Sequence, residues 1–305
     1  MRPRGGPPPP EDDPPRPPLD DDDAPYDAYD LDAGTREHYL DAALYDFEYR
    51  RRRADVNHYR ALANRFAGGA GQIPGGIGTP VRIVELGCGT GRLLAPLARD
   101  GHEVLGIDFT PTMLAVAHDR IAHLSRRARP RVRLLRADMR SLPLDRAFRV
   151  PLVICPFNAF QHLYTRDDVA ACLAGVRDLL PPTGNFAFDV LHPDLKWLTR
   201  RPDKRWARTR FKHPVTDEQL EYTTNQTYEP ISQIAHIRIY YERLDSPDGD
   251  RHLRVVRLAH RQFFPAELEA LLWANGFAIS TRWGGFSGEP FEGHSESQVL
   301  LCTPR

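Results

Sequence analysis

Three glycines in one short segment are the first sign of chemistry in this sequence. Residues 84–94 read VELGCGTGRLL, so Gly87, Gly89 and Gly91 alternate with Cys88 and Thr90 directly after a predicted strand. Glycine lets the backbone turn tightly, and it lets a ligand approach where a Cβ would stand in the way. A turn of this kind between a strand and a helix predicts a ligand-binding loop.

Two aspartates end later predicted strands. Asp108 ends the second strand, and Asp138 ends the third and is followed by Met139. A carboxylate in the Asp108 position can accept both hydroxyls of a ribose. We expect Asp138 to accept from an adenine amino group, with Met139 packed on the ring. A ligand that contains adenosine could use both carboxylates in this way.

The G-x-G-x-G spacing separates this loop from two other nucleotide-binding loops. Dehydrogenases that use NAD(P) prefer G-x-G-x-x-G, and they require neither Glu85 nor Asp138. A P-loop needs G-K-[ST] after its glycines, and this segment lacks it.

From Val81 onward, strand and helix patterns alternate, which predicts a parallel sheet covered on both faces. Between Trp206 and Phe264 the apolar residues instead repeat with period two, which predicts an inserted antiparallel sheet of about four strands, well placed to be a lid. Two helical stretches precede the first strand: one contains Leu40, Leu44 and Phe47, and the second begins near Asp55 as its N-cap.

Composition divides the chain further. Residues 1–33 hold ten acids and three arginines with little apolar content, which predicts a disordered tail. The predicted units are the tail 1–33, N-terminal helices 34–80, a core of 81–195 and 264–305, and the insertion 196–263. The sequence shows no secretory signal and no long apolar stretch, so we expect a cytoplasmic protein with no membrane partner. Its four cysteines show no metal-like spacing, so we expect reduced thiols and no metal.

The segments VELGCGTGRL, HEVLGIDFTPTML and RADM resemble the first three motifs of the class I methyltransferase family, which binds S-adenosylmethionine. The resemblance covers Val81 to Val190 and, by pattern, Phe264 to Cys302. It implies a Rossmann-like α/β fold with a seven-stranded, mostly parallel sheet, an enzyme, and S-adenosyl-L-methionine as cofactor. The cofactor residues it implies are Glu85, Gly87, Cys88, Gly89, Gly91, Asp108, Phe109, Met113, Asp138, Met139 and Phe157.

Two segments after predicted strands carry the catalytic candidates. CPFNAFQHLY follows the fourth strand and contains His162, while FDVLHPD follows the fifth and contains Asp189 and His192. A base is needed only if the methyl acceptor arrives protonated or is a weak hydroxyl nucleophile. An imidazole with a pKa of about 6.5 could take that proton, so we expect His162 to support an acidic limb near pH 6 to 7. Each of the three also has a purely structural reading.

The sequence leaves three functions open. The first is methyl transfer to nitrogen or oxygen of a small molecule in a pocket shaped by the lid and the N-terminal helices. The second is methylation of a peptide or RNA that docks on the basic cluster at 200–212, and the third is a non-catalytic module that binds S-adenosylmethionine. DNA is disfavoured, because Cys155-Pro156-Phe157-Asn158 stands where DNA amino-methyltransferases carry [DN]-P-P-[YF].

Overall fold

A seven-stranded sheet forms the centre of the molecule in a computed structural model that describes residues 30–67, 79–244 and 253–305. Its strands are β1 (Arg82–Leu86), β2 (Glu103–Asp108), β3 (Val132–Arg136), β4 (Leu152–Cys155), β5 (Asn185–Leu191), β10 (Phe277–Trp283) and β11 (Ser297–Pro304). The order is β10-β11-β5-β4-β1-β2-β3; β11 runs antiparallel to both β10 and β5, and the other described pairs are parallel. The predicted Rossmann-like fold class is confirmed.

Helices cover both faces of this sheet. They are α3 (Ala54–Ala67), α4 (Leu94–Arg99), α5 (Pro111–Ala122), α6 (Arg166–Leu179) and α8 (Pro265–Ala274), while the short helix α7 (Leu195–Leu198) packs against the inserted sheet. One core contains apolar residues of α6 and α8, and the other contains those of α3, α4 and α5. Thr165 begins α6 with a reciprocal capping box to Asp168.

The N-terminal helical stretch is two helices, α1 (Leu31–Leu40) and α2 (Ala42–Tyr49). Asp41 separates them, because its carboxylate accepts the N–H of Leu44 at 3.0 Å and so begins a new helix. Asp30 caps α1 in the same way, accepting the N–H of Ala33 at 3.0 Å. The predicted tail boundary at residue 33 is therefore too late, and the remainder of the predicted tail, residues 1–29, lies outside the described residues.

A second, antiparallel sheet is inserted between α7 and α8, which confirms the predicted four strands. They are β6 (Trp206–Lys212), β7 (Gln219–Glu229), β8 (Ile234–Arg243) and β9 (Leu253–Arg261), paired in that order. One face packs on the N-terminal helices, where Leu44 joins Ile239, Val256 and Leu258 in an apolar cluster. This sheet therefore packs against α1 and α2 and helps to hold them in place.

Two general expectations concern the cysteines and the membrane. All four cysteines, Cys88, Cys155, Cys172 and Cys302, are buried and free. Across the described ranges, no helix combines the length and the apolar character needed to cross a membrane.

Candidate active site

A cavity of about 480 Å³ lies at the carboxyl edge of the seven-stranded sheet, a volume usual for small-ligand sites. Loops that follow β1, β2, β3 and β4 line it, and residues of α1 complete the wall. Among the predicted cofactor residues, the lining contains Glu85, Gly87, Cys88, Gly89, Asp108, Phe109, Met113, Asp138, Met139 and Phe157. The structure thus brings together segments that are far apart in the sequence.

The glycine loop adopts a backbone that side chains rarely allow. Gly87, Gly89 and Gly91 have φ of 67°, 53° and 71°. A Cβ on Gly87 would lie 2.7 Å from the Cβ of Ala159, so glycine is required there for packing as well as for conformation. Gly91 does not line the cavity; it lies against α5, where a Cβ would be 3.3 Å from that of Ala117. The prediction that Gly91 contacts the cofactor is corrected to a packing role.

Asp108 joins this loop to the end of β2. Its Oδ2 accepts the N–H of Gly89 at 2.8 Å, and its Oδ1 accepts the N–H of Thr110 at 2.8 Å. Burial raises the pKa of Asp108 above its usual value, although these hydrogen bonds act in the opposite direction. A carboxylate has about four acceptor positions. Asp108 can therefore hold the loop and still accept from a ligand in the cavity.

Asp138 carries an ion pair that the sequence did not reveal. The guanidinium of Arg140 donates to Asp138 at 2.7 Å and to Asp168 at 2.9 Å. Burial acts to raise the pKa of Asp138, but the hydrogen bonds and the positive charge of Arg140 outweigh it and hold that pKa below its usual range. Asp138 is thus an ionised acceptor at the cavity wall, with Arg140 occupying some of its acceptor capacity.

Glu85 is the least satisfied charged group in the cavity wall. Its side chain is 2% exposed, and its Oε2 has no hydrogen-bond partner in the described part of the chain. Burial raises the pKa of Glu85 well above its usual value, and the nearby Arg92 opposes that rise. Arg92 itself pairs with Asp55, which lies in the first turn of α3 and is not the predicted N-cap. A cationic group of a bound ligand would supply the partner that Glu85 lacks.

The turn after β4 is strained. Phe157 and Asn158 have φ of 59° and 61°, a left-handed backbone that is rare for a bulky residue such as phenylalanine. The Phe157 ring lines the cavity and lies between the ring of Tyr49, at 5.0 Å, and the guanidinium of Arg92, at 4.7 Å. A short 3-10 turn then leads directly to His162.

His162 lines the cavity, but both of its ring nitrogens are engaged. Its Nε2 lies 2.6 Å from the hydroxyl of Tyr39, and its Nδ1 lies 3.1 Å from the hydroxyl of Tyr164. Burial lowers the pKa of His162 well below 6.5, and nearby His260 and His38 act in the same direction. This environment does not support a base that titrates near pH 6 to 7, because burial favours the neutral imidazole.

The other two catalytic candidates lie outside the cavity lining. Asp189 is 1% exposed and accepts hydrogen bonds from Tyr59, Phe157 and Asn158. The Nδ1 of His192 lies 2.9 Å from the carbonyl oxygen of Ser295, and its ring packs against Phe291. These contacts correct both assignments: neither side chain faces the space where a substrate could bind.

The sequence predicted that the N-terminal helices shape the pocket, but it did not identify which of their residues line it. The first of these helices contributes Leu31, Asp32, Thr35, Arg36 and Tyr39 to the cavity wall, and the second contributes Tyr45. The only sequence signal was the run of tyrosines at 39, 45 and 49. The lid prediction is corrected as well, since none of the described residues of β6–β9 lines the cavity. The helices α1 and α2 form the cap over the cavity, and the inserted sheet packs against these helices.

Comparisons with known proteins agree with this architecture. Residues 83–184 match a family model described as a methyltransferase domain. A Bacillus subtilis (strain 168) relative named "Putative methyltransferase YqeM" is 33% identical over 127 residues, which is 41% of this chain. The chain spans about half the length of that curated relative, covering 48% of it.

Two solved structures share the fold over most of the chain. An S-adenosylmethionine-dependent methyltransferase from Clostridium acetobutylicum aligns over 86% of this chain and 97% of its own, with a TM-score of 0.65 and 17% identity. The sugar N-methyltransferase KedS8 from Streptoalloteichus aligns over 86% and 92%, with a TM-score of 0.61 and 16% identity. At these identities the likeness concerns the fold.

The strand order, the glycine loop at the end of β1 and the matched domain together define a class of protein. Residues 83–184 contain a methyltransferase domain, and the chain shares its fold with class I S-adenosylmethionine-dependent methyltransferases. The cofactor of this class is S-adenosylmethionine. One observation in particular fits that ligand to the cavity: the unpartnered oxygen of Glu85 in the wall could accept from a cationic amino group.

Proposed function

We propose that this chain transfers a methyl group from S-adenosylmethionine to an amino nitrogen of a small polar molecule. The observation that carries the proposal is the wall formed by α1, which places Thr35, Arg36 and Tyr39 around the same cavity as the glycine loop. A cavity closed by a helix of the chain itself suits a small molecule better than a peptide or RNA strand. The sugar N-methyltransferase with the same fold supports the choice of nitrogen.

Residues on the sheet side would hold the cofactor. We assign the ribose hydroxyls to Asp108, the adenine to Asp138 and Met139, and the amino group to Glu85. When bound, S-adenosylmethionine supplies a methyl group already activated by a sulfonium sulfur. The protein therefore has to align the acceptor and exclude water, and such alignment can contribute on the order of 7–11 kcal/mol to rate acceleration.

Tyr39 is our candidate for orienting the acceptor. We assign the ring proton of His162 to Nδ1. The hydroxyl of Tyr164 then accepts it and gives its own proton to the carbonyl of Ala259 at 3.1 Å or to the hydroxyl of Thr35 at 2.8 Å. The Nε2 of His162 then accepts the hydroxyl proton of Tyr39. The lone pairs of the Tyr39 oxygen stay available to accept an N–H from an amine in the cavity.

The electrostatics of the wall favour nitrogen over oxygen. A neutral amine attacks without losing a proton first, whereas a hydroxyl acceptor needs a base. His162 has both nitrogens hydrogen-bonded, and Asp138 and Asp168 share Arg140. The aspartate of α1 in the wall, Asp32, pairs with Arg36 at 3.1 Å. Asp138 and Asp168 are poor bases because Arg140 stabilises their ionised form and so lowers the pKa of each.

The basic cluster at 200–212 gives limited support to the alternative in which a peptide or RNA docks on it. Arg208 and Arg210 pair with Glu221 at 3.5 and 2.8 Å, and Lys212 pairs with Asp217 at 3.0 Å. Much of the positive charge is thus balanced within the sheet.

A labelling experiment tests the proposed function. The protein is incubated with methyl-labelled S-adenosylmethionine and matched sets of small amines and hydroxyl compounds, beside a peptide pool and total RNA. We expect label in an amine, seen as a mass increase of about 14 Da before the isotope is counted, and none in its hydroxyl analogue. Label in a polymer, or in the hydroxyl compound alone, would contradict the proposal, and no transfer to any acceptor would favour a binding module.

The Tyr39→Phe variant tests the assigned role of the hydroxyl. It leaves the Nε2 of His162 without its donor and removes the acceptor for the amine, a loss of about 1–3 kcal/mol. We expect kcat/KM for the amine to fall about 5- to 150-fold, while S-adenosylmethionine affinity measured by calorimetry stays within about threefold. An unchanged kcat/KM would remove Tyr39 from the acceptor site.

A further inference from the structure

Asp189 lies at the meeting point of three segments. It is on β5, directly beyond Phe188, which pairs with Cys155 at the end of the parallel strand β4. Its Oδ1 accepts the hydroxyl of Tyr59 at 2.6 Å and the N–H of Phe157 at 2.8 Å. Its Oδ2 accepts the N–H of Asn158 at 3.0 Å. Both oxygens of this buried carboxylate are thus used, and two of the three donors are consecutive backbone amides.

Those two amides belong to the strained turn. A left-handed backbone at non-glycine residues costs about 1–3 kcal/mol each and persists only where its surroundings hold it. Consecutive N–H groups that point to one side form a concave site for an anion. The carboxylate of Asp189 fills that site at Phe157 and Asn158, and β5 fixes its position through backbone pairing with Val299.

The turn controls what faces the cavity. The Phe157 ring lines the wall, and the 3-10 turn that starts after Asn158 ends at His162, the partner of Tyr39. If the turn relaxed to a right-handed backbone, both the ring and the imidazole would move away from their present positions. A displacement of about 1 Å in such a group can cost about 100-fold in rate.

We propose that Asp189 is a positioning residue: its carboxylate holds the left-handed turn at 157–158 and thereby places Phe157 and His162 in the cavity wall. This role concerns the site of the proposed methyl transfer and rests on that function for its kinetic consequences alone. Asp189 does not face the cavity, so it acts through the turn and not on the substrate.

Protonation provides a second way to loosen the turn. Burial raises the pKa of Asp189 to about 6, while the hydrogen bonds from Tyr59, Phe157 and Asn158 act against that rise. The titratable groups that face it are Tyr59 and Asp55 from α3 and Cys155 from β4. A protonated carboxyl loses its charge and one acceptor position, so we expect kcat to fall as the pH drops through about 6.

The Asp189→Asn variant tests the proposal, with Tyr59→Phe as its matched control. The amide keeps the shape but turns a donor toward one backbone N–H, whereas Tyr59→Phe removes only the third donor and leaves both turn hydrogen bonds. We expect hydrogen-exchange protection of Phe157 and Asn158 to fall about tenfold or more in Asp189→Asn and to stay close to the parent in Tyr59→Phe. This readout needs no acceptor.

Enzyme kinetics of the same variant give a second test of the proposal. We expect kcat of Asp189→Asn to fall about 100-fold, S-adenosylmethionine affinity to stay within about threefold, and the acidic limb near pH 6 to disappear. Adding Asn158→Gly, which lowers the cost of the left-handed backbone, should recover some of the lost kcat.

Full protection of both amides in folded Asp189→Asn would overturn the proposal. If Asp189→Asn does not fold, hydrogen exchange of the parent protein is measured at about pH 7.5 and 5, on either side of the Asp189 pKa. Unchanged protection of Phe157 and Asn158 between these pH values would overturn the proposal equally. If no acceptor is methylated by the parent, the proposed function fails while the exchange result still decides the role of Asp189.

Discussion

Asp108 accepts hydrogen bonds from the backbone of the glycine loop, and we expect it also to accept the ribose hydroxyls of the cofactor. In Asp108→Asn one oxygen becomes a donor that faces the N–H of Gly89 or Thr110, and the charge is lost. Hydrogen bonds to charged groups contribute about 1.5–3 kcal/mol. We expect S-adenosylmethionine affinity, measured by calorimetry, to fall about 10- to 150-fold.

The exposed Asp119 on α5 gives a control for this substitution. Asp119→Asn removes the same charge from the same region, and we expect it to leave the affinity within about threefold of the parent. Equal affinities for folded Asp108→Asn and the parent would exclude Asp108 from the cofactor site.

At the scale of elements, the helical cap depends on how closely α1 approaches the inserted sheet. Gly34 lies against β9, where a Cβ would be 2.7 Å from the Cβ of Ala259. Gly34→Val therefore forces α1 away from the sheet, and overpacking of this kind costs about 1–3 kcal/mol. Because Thr35 and Tyr39 lie on the same helix, we expect kcat/KM for the acceptor to fall more than S-adenosylmethionine affinity does.

Gly293 provides the matched substitution, since nothing lies within 4 Å of a Cβ built there. Gly293→Val should leave both the melting temperature and kcat/KM near those of the parent. Should Gly34→Val behave in the same way, the cap would tolerate displacement and α1 would not shape the acceptor site.

At the scale of the whole molecule, a cluster of buried histidines lies where α1, the inserted sheet and the turn after β4 meet. His38 of α1, His260 of β9 and His162 lie close together, and burial lowers the pKa of His38 to about 3 and that of His260 to about 4. In the unfolded chain histidine titrates near about 6.5. Between those pH values the unfolded state binds more protons, so stability falls on acidification, by up to about 1.4 kcal/mol per pH unit for each histidine.

The His38→Phe variant isolates one of these contributions. It keeps an aromatic ring against Tyr39, Tyr45 and Tyr49 and removes the titration. We expect the melting temperature of the parent to drop more than that of the variant between about pH 7 and 5. Parallel losses in the two proteins would show that His38 does not contribute. Asp189 titrates in the opposite sense, since its raised pKa makes the fold gain stability below about 6.

The sequence by itself determined the sheet, the inserted strands and most of the residues that line the sheet side of the cavity. The glycine loop and Asp108 are local features: each follows its own strand, and the carboxyl ends of parallel strands meet at one edge whatever the rest of the chain does. Alternating apolar patterns were likewise enough to predict all four inserted strands, because each pattern reports one strand at a time.

Only the tertiary structure decided what faces the cavity from the other side. Tyr39 and His162 are 123 residues apart, and Tyr59 and Asp189 are 130 residues apart. No local pattern shows that α1, and not the inserted sheet, lies over the cofactor loop. Burial then changed the chemistry, lowering the pKa of His162 and turning Asp189 toward a backbone turn. Such effects depend on desolvation and on partners from distant segments, and these arise when the chain packs.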